Sequence, residues 1–514
     1  MNAESIVFIA YFVILFFVGL VFYFNGSNKN QEDYFLGGRS MGPWVTAMSA
    51  QASDMSAWLL MGLPGSILAF GFGQIWIGIG LALGTAANWI FCATRLRKFS
   101  KAANDAITLP QYLTNRFATQ KKTLQIICAV IFLFAFTVYV ASAFVAGQTV
   151  FTTLFPNMNP TAAMAIFAVI IIGYTFLGGF KAVCWTDFFQ GILMLIALLA
   201  VPIIVVLFHK NDLDASALTT VFTNASDGTE YAFGTGLFNA SWQDIISGLA
   251  WGLGYFGMPH IIIRFMSIEK PSMVKKSATV AIIWVVLSLG ASCLMAYYAR
   301  MISFNGESLA AQLLGEGLQK TVFIQMARNL FPAAIAGFLL AAIMAASVST
   351  ADSQLLVASS SFTSDLYQPL IRKNASDKEV LWVGRIAVVV IAVIAYFIAS
   401  SKGQGAQAIM NLVENAWGIF GAAFGPVVLL SLFWRRFNYV GACAGVVAGA
   451  LVDIVWLYAG LSSSTGVYEL LPGFVVGAVA AVVGALVTAA PSKAVTDIFD
   501  TATASDYDDS ALEA

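Results

Sequence analysis

Two short runs place hard oxygen donors inside otherwise apolar sequence. The first is Ser53-Asp54-Met55-Ser56, followed by Trp58 and by Gly62, Pro64 and Gly65. The second is Ala346-Ser347-Val348-Ser349-Thr350-Ala351-Asp352-Ser353. On a helix, Ser349, Asp352 and Ser353 stand at i, i+3 and i+4 and share one face. Hydroxyl and carboxylate oxygens suit a hard cation such as Na+, by the preference that selects oxygen for Mg2+ and Ca2+. For one hydroxyl alone, bonding back to the preceding turn is the simpler account. Four polar groups together favour ion binding. Asp54 reads as a charge active in coupling, as the cap of a broken helix, or as a partner of Arg39. Asp187, after Trp185-Thr186, reads as a helix cap or as part of an ion route.

The surroundings of these runs are a membrane protein's. Of 514 residues, 59% are apolar and 10% charged, against roughly 25% charged in a soluble domain. Soluble, nucleic-acid-binding and disordered classes are thereby excluded. The run from Val7 to Phe24 is uncharged and close to the ~20 residues that cross a bilayer. Without a preceding base, it reads as a retained span and not as a signal peptide. Twelve more apolar stretches follow, near 43–70, 74–94, 124–150, 162–180, 188–208, 240–263, 277–299, 323–360, 380–400, 406–433, 438–460 and 472–490. They predict an all-α protein of about 13 spans. The strands of a transmembrane barrel would alternate polar and apolar residues instead.

Charge asymmetry supports that count. With the N-terminus outside, 21 of the 26 Lys and Arg fall in inside segments, among them Lys29, Arg39, Arg97, Arg116 and Arg264. Lys402 falls outside. The expected organisation is one transporter domain over 1–490, with helix 1 near 7–24, repeats at about 43–208 and 240–433, and helices 12–13 near 438–490. An acidic, solvated cytoplasmic tail over 491–514, including Glu513, completes it.

Dispersed Cys92, Cys128, Cys184, Cys293 and Cys443 argue against disulfides or zinc. His209 and His260 make a weak relay. No nucleotide-binding GxxxxGK[ST] loop occurs, and no nucleophile–base pair stands in supporting context, so neither ATP-driven transport nor an enzyme is expected.

Two spans are interrupted in the same style. The second carries Trp58 before Gly62-Leu63-Pro64, and the seventh carries Tyr255 before Gly257-Met258-Pro259. Broken helices at corresponding places mark the sites of inverted-repeat transporters. Five spans separate the two, and an odd repeat length makes the halves cross in opposite senses. Spans 2–6 and 7–11 are therefore candidate inverted repeats.

Several segments, taken together, resemble the solute:sodium symporter family, most closely its proline-transporting branch. They are RSMGPWVTAMSAQASDMSAWLLMGLPGS, TLPQYLTNRF, GGFKAVCWTDFFQ, WGLGYFGMPHIIIRFM, SVSTADSQLLVASS, DLYQPLIRK and AWGIFGAAFGPVVL. The resemblance implies 13 helices around a five-plus-five, LeuT-type core. It implies a main Na+ site made by the carbonyls of Ala52, Met55 and Ala346 and the hydroxyls of Ser349 and Thr350, with Asp54 serving Na+ coupling. Ser56, Trp58, Tyr139, Trp251, Tyr255 and Pro259 match positions lining the substrate cavity. Asp352 departs from the pattern, since relatives carry a small hydroxyl residue there. With Asp187, Ser349 and Ser353 it suggests a second cation site, or a proton shared with Asp187. The alternative is a pair with a cytoplasmic Arg or Lys.

The implied activity is Na+-coupled L-proline uptake by alternating access across a bacterial cytoplasmic membrane. Na+ is then the co-transported ion, with no organic cofactor, no ATP and no nucleic acid. Other readings are a symporter of the same fold for a sugar, pantothenate or a monocarboxylate, an ion channel, and a membrane sensor.

Overall fold

A computed structural model describes residues 3–24, 30–401 and 406–509; Lys29, Lys402 and Glu513 lie outside them. Among the described residues the chain is helical apart from two short hairpins, Phe222–Thr223 with Glu230–Tyr231 and Ser303–Phe304 with Glu307–Ser308.

Helix α1 (Ala3–Phe24) is uncharged beyond Glu4. The second span is broken, as its glycines and proline predict. α2 (Pro43–Met55) stops where Ser56 adopts φ 48° and ψ −174°, a wide turn covers Trp58–Gly62, and α3 (Leu63–Phe70) resumes. α4 (Ile75–Ala87), a wide turn at Asn88–Ala93 and α5 (Thr94–Ala102) make one apolar unit. α6 (Thr123–Leu154) follows.

The next helix, α7 (Pro160–Phe208), has 49 residues, which would measure ~73 Å if straight, over twice a bilayer's hydrocarbon core. It is not straight. Gly179 sits at φ 66° and ψ −178°, a conformation glycine adopts without steric cost. The Tyr174 hydroxyl meets Thr186 Oγ1 and donates to the Ala182 carbonyl at 3.2 Å. Twelve residues of straight helix would part Tyr174 and Thr186 by ~18 Å, so the chain doubles back at Gly179.

The seventh span is broken as well. α8 (Trp242–Ala250) tightens to 3-10 turns over Trp251–Phe256, Met258 is extended, and α9 (Pro259–Ser267) departs at 42°. α10 (Val274–Met301), α11 (Ala333–Ser360, continued in wide turns to Ile371), α12 (Asp377–Ser401), α13 (Ala406–Phe433), α14 (Tyr439–Tyr458), α15 (Leu470–Val487) and α16 (Lys493–Thr503) complete the chain.

Among the described residues, nine helices are long and apolar enough to cross a membrane, ten if α8–α9 is one broken span. That is fewer than the expected 13 because α7 scores once although it doubles back. The apolar described parts of α1 and of the α2–α3 unit also fall short of a full span. Every residue of α11 from Leu339 to Ser360 is buried, so protein surrounds this helix on all sides. Large apolar side chains face outward elsewhere, among them Phe17, Phe208, Phe397 and Val487. Such a belt belongs against lipid.

Two expectations change. The acidic tail is not free in solvent. α16 buries Val495 and Ala502, Asp500 pairs with Arg435 at 2.7 Å, and Asp509 pairs with Arg97 at 2.8 Å. Several arginines assigned to loops are internal. Arg97 donates to the carbonyls of Ile268 and Glu269, Arg116 to those of Ser431 and Val495, and Arg39 to those of Met266 and Ala106. A guanidinium's five donors suit carbonyls left unpaired at helix ends.

Candidate functional site

α2 and α11 cross at the first cluster of oxygens. Ser349 Oγ lies 2.8 Å from the Ala52 carbonyl and 3.2 Å from the Ala346 carbonyl. The buried Thr350 hydroxyl has no hydrogen-bond partner among the described residues. α2 ends at Met55, one turn beyond Ala52, so the break at Ser56 frees the last carbonyls of α2 from helical bonding. A buried unpaired hydroxyl costs ~1–3 kcal/mol, and a bound cation would satisfy it. Carbonyl and hydroxyl oxygens fit Na+, and no group of three His, Cys, Asp or Glu able to hold a metal occurs among the described residues.

The α2 break and the α8–α9 break face each other across a small, tightly closed cavity of about 10 Å³. Asp54, Met55, Ser56, Trp58, Tyr139, Trp251 and Tyr255 line it together with Leu81, Val413 and Trp417. The Tyr255 hydroxyl donates to Asp54 Oδ2 at 2.5 Å, which joins the two breaks directly. Asp54 is thus neither the partner of Arg39, which pairs with Asp105 at 2.8 Å, nor a cap. Ser56 Oγ accepts from the Trp58 amide at 3.1 Å. The Trp58 and Trp251 rings stack with centroids 5.6 Å apart, and Trp417 Nε1 donates to the Trp251 carbonyl at 2.8 Å. This closeness requires glycine at 254, where a methyl group would overlap the Trp417 ring. Pro259, expected to line the cavity, is not among the lining residues; it is the first residue of α9, where its ring starts the helix.

The remaining acids surround an arginine. Arg264 Nη2 lies 3.2 Å from Asp187 Oδ2 and also donates to Ser353 Oγ. Its Nε donates to Ser49 Oγ at 3.1 Å, and Ser49 donates in turn to Asp187 at 2.7 Å. Asp187 is therefore an internal ion-pair partner and not a helix cap. Asp352 Oδ1 accepts from Ser353 at 3.4 Å, while Asp352 Oδ2 and Asp187 Oδ1 are buried without partners among the described residues. His260 Nε2 lies 3.1 Å from the Ser53 carbonyl and its own carbonyl accepts from Arg264, so it braces the α2 break.

The sequence matches the Sodium:solute symporter family over residues 34–449. The chain belongs to that family. Relatives of this symporter include the high-affinity proline transporter PutP of Bacillus subtilis (strain 168), 43% identical over 94% of this chain and 97% of its own length. The sodium/proline symporter of Escherichia coli (strain K12) is likewise 43% identical, over 91% of this chain and 90% of its own. Among solved structures, a Na+-coupled sialic acid symporter in a substrate-bound outward-open state superposes with a TM-score of 0.67 at 19% identity, covering 96% of this chain and 99% of that one. The fold is therefore the inverted-repeat fold of Na+ symporters, and the chain is a multi-pass membrane transporter and not an enzyme.

Of the symporter's anticipated lining residues, the structure brings together Ser56, Trp58, Tyr139, Trp251 and Tyr255, and adds Asp54 to the same wall. Three lining residues escaped the sequence reading. Leu81, Val413 and Trp417 sit in apolar helices where a lining position and a packing position have the same composition. Arg264 escaped too, because a base after an apolar run reads as a loop charge.

Proposed function

We propose that this symporter couples the entry of Na+ to uptake of L-proline across a bacterial inner membrane. The carrying observation is Ser349 Oγ held between the carbonyls of Ala52 and Ala346 beside the unpartnered Thr350 hydroxyl, one turn from a broken helix that lines the cavity. In this reading Na+ takes the carbonyls of Ala52, Met55 and Ala346 and the hydroxyls of Ser349 and Thr350. Asp54 couples that site to the cavity through Tyr255. The stacked Trp58 and Trp251 rings and Tyr139 suit the apolar face of a pyrrolidine. Helix N-termini at the breaks suit its carboxylate. Two close relatives that bear proline in their names support the substrate.

Coupling requires Na+ and proline to favour the same conformer, and each then raises affinity for the other. Na+ between α2 and α11 fixes the end of α2, and with it Ser56 and Asp54. The spans number 13, with α7 counted as two and the N-terminus outside. Asp187, Asp352 and Ser353 make the second cationic locus, where Arg264 supplies the resident charge. No organic cofactor or ATP enters the cycle.

The test is uptake of labelled proline by purified protein in proteoliposomes under an imposed Na+ gradient, with a panel of sugars, pantothenate and monocarboxylates as competitors. Uptake should rise with external Na+ and yield to proline alone. Uptake indifferent to the Na+ gradient would overturn the mechanism, and competition by another solute would overturn the substrate.

A further inference from the structure

A second group of acids plays no part in the cavity or the Na+ site. Asp453 in α14 and Glu469, just before α15, are 1% and 2% exposed. Asp453 Oδ1 and Glu469 Oε1 are both buried without a hydrogen-bond partner among the described residues. They converge over Gly418 of α13. A Cβ placed there would lie 2.8 Å from Asp453 Oδ1, 3.4 Å from Glu469 Cγ and 3.5 Å from the Tyr468 hydroxyl, so the first two are no more than about 6 Å apart. Glycine at 418 leaves this space open. The Ser462 hydroxyl fixes Glu469 by donating to Oε2 at 2.7 Å, and Tyr468 donates its proton to the Glu414 carbonyl at 2.7 Å. Each bond leaves further acceptor capacity on Glu469 and Tyr468.

Two buried carboxylates of like charge need protons or a cation. A shared proton would join them by a short hydrogen bond, and neither unpaired oxygen makes one. We propose that Asp453, Glu469 and the Tyr468 hydroxyl form a cation site distinct from the Na+ site between α2 and α11. Hard oxygens select a hard cation. The occupant is taken to be Na+, the cation this symporter family couples to, with Ca2+ as the rival that the experiment separates from it.

The site sits against the substrate cavity. Tyr468 stacks on Trp251 with ring centroids 5.2 Å apart, and Trp251 lines the cavity on its other side. A cation held here ties α13, α14 and α15 together and steadies the Trp251 wall.

The experiment measures the unfolding temperature of the full chain in choline chloride, NaCl and CaCl2 at equal ionic strength. It is repeated with Thr350→Ala, or with Ser349→Ala if that variant folds poorly, at NaCl concentrations below the raised midpoint of the transport site, so that this site stays largely empty. NaCl should raise the unfolding temperature by a few degrees in this background, as expected of a ligand bound only by the folded state. Asp453→Asn and Glu469→Gln should each abolish that rise while keeping Na+-driven uptake when residues 349 and 350 are intact. An equal rise in these variants, or none in the Thr350→Ala background, overturns the site. Stabilisation by CaCl2 and not NaCl overturns the monovalent assignment. The same rise produced in choline chloride by lowering the pH identifies a shared proton and overturns the cation. Failure of proline transport would show in the uptake assay and leave this measurement unaffected.

Discussion

Ser349 touches two carbonyls from different helices, and Thr350 beside it touches none. Removing either hydroxyl should leave the fold intact and weaken Na+ binding, since a hydrogen bond or ligand of this kind contributes ~1–3 kcal/mol. Ser349→Ala and Thr350→Ala are each expected to raise the Na+ concentration for half-maximal uptake by about tenfold, for ~1.4 kcal/mol. A Na+ titration of initial uptake rates checks this, and an unchanged midpoint in both would remove the site. Arg264 behaves differently. It is 1% exposed and pairs with the fully buried Asp187. Removing one partner of such a pair costs ~3–5 kcal/mol because the other is left as an uncompensated buried charge. Arg264→Gln should therefore lower the unfolding temperature sharply, and adding Asp187→Asn should recover much of the loss. If the double variant is no better than the single, Arg264 acts through packing and not through charge. The hydroxyls were legible in the sequence because polar residues inside apolar runs stand out. Arg264 was not, because its partners lie 77 and 89 residues away and no local pattern announces burial.

At the scale of elements, the breaks were the most readable feature. Gly62, Pro64, Gly257 and Pro259 weaken helices by their own chemistry wherever they stand, and the structure breaks both spans there. The tail was misread for the converse reason. Its acids look solvated until Arg97 and Arg435, distant in sequence, are seen to meet them. Exposed ion pairs weaken as salt is added, so amide exchange in Lys493–Thr503 should quicken between low and high choline chloride, which leaves the Na+ site empty, while that of α11 stays unchanged. A salt-independent rate would mean that Val495 and Ala502 hold the tail by apolar contact alone. A pH effect belongs to the short turn Gln319–Thr321, which packs on Gly65 of α3. Burial lowers the Lys320 ammonium from 10.5 to about 8. Between about 8 and 10.5 the unfolded chain holds more protons than the folded one, so stability rises with pH across that window. Lys320→Met should remove this slope from the unfolding temperature measured against pH. Retention of the slope would assign it to another group.

At the scale of the whole molecule, hydropathy and charge position carried the class and the approximate number of spans, and the paired breaks with the family resemblance carried the fold. The sequence already divided α7 into two spans; it is the long apolar helices among the described residues that number fewer, because two spans joined at Gly179 form one helix and a span broken by glycine forms none. Sidedness offers a direct check. With the N-terminus outside, a cysteine at Asp227 in intact cells should react with a membrane-impermeant maleimide, and a cysteine at Thr501 should react only after lysis. The reverse pattern would invert the topology. The turn at Gly179 also bears on biosynthesis. A connection this tight leaves no hydrophilic segment to wait in water while one span inserts and the next is made. The two arms of α7, which meet through Tyr174 and Thr186 in the folded chain, are then expected to enter the bilayer together as a single hairpin. A bulky residue at position 179 would accordingly harm yield at the stage of insertion, before any step of transport could be measured.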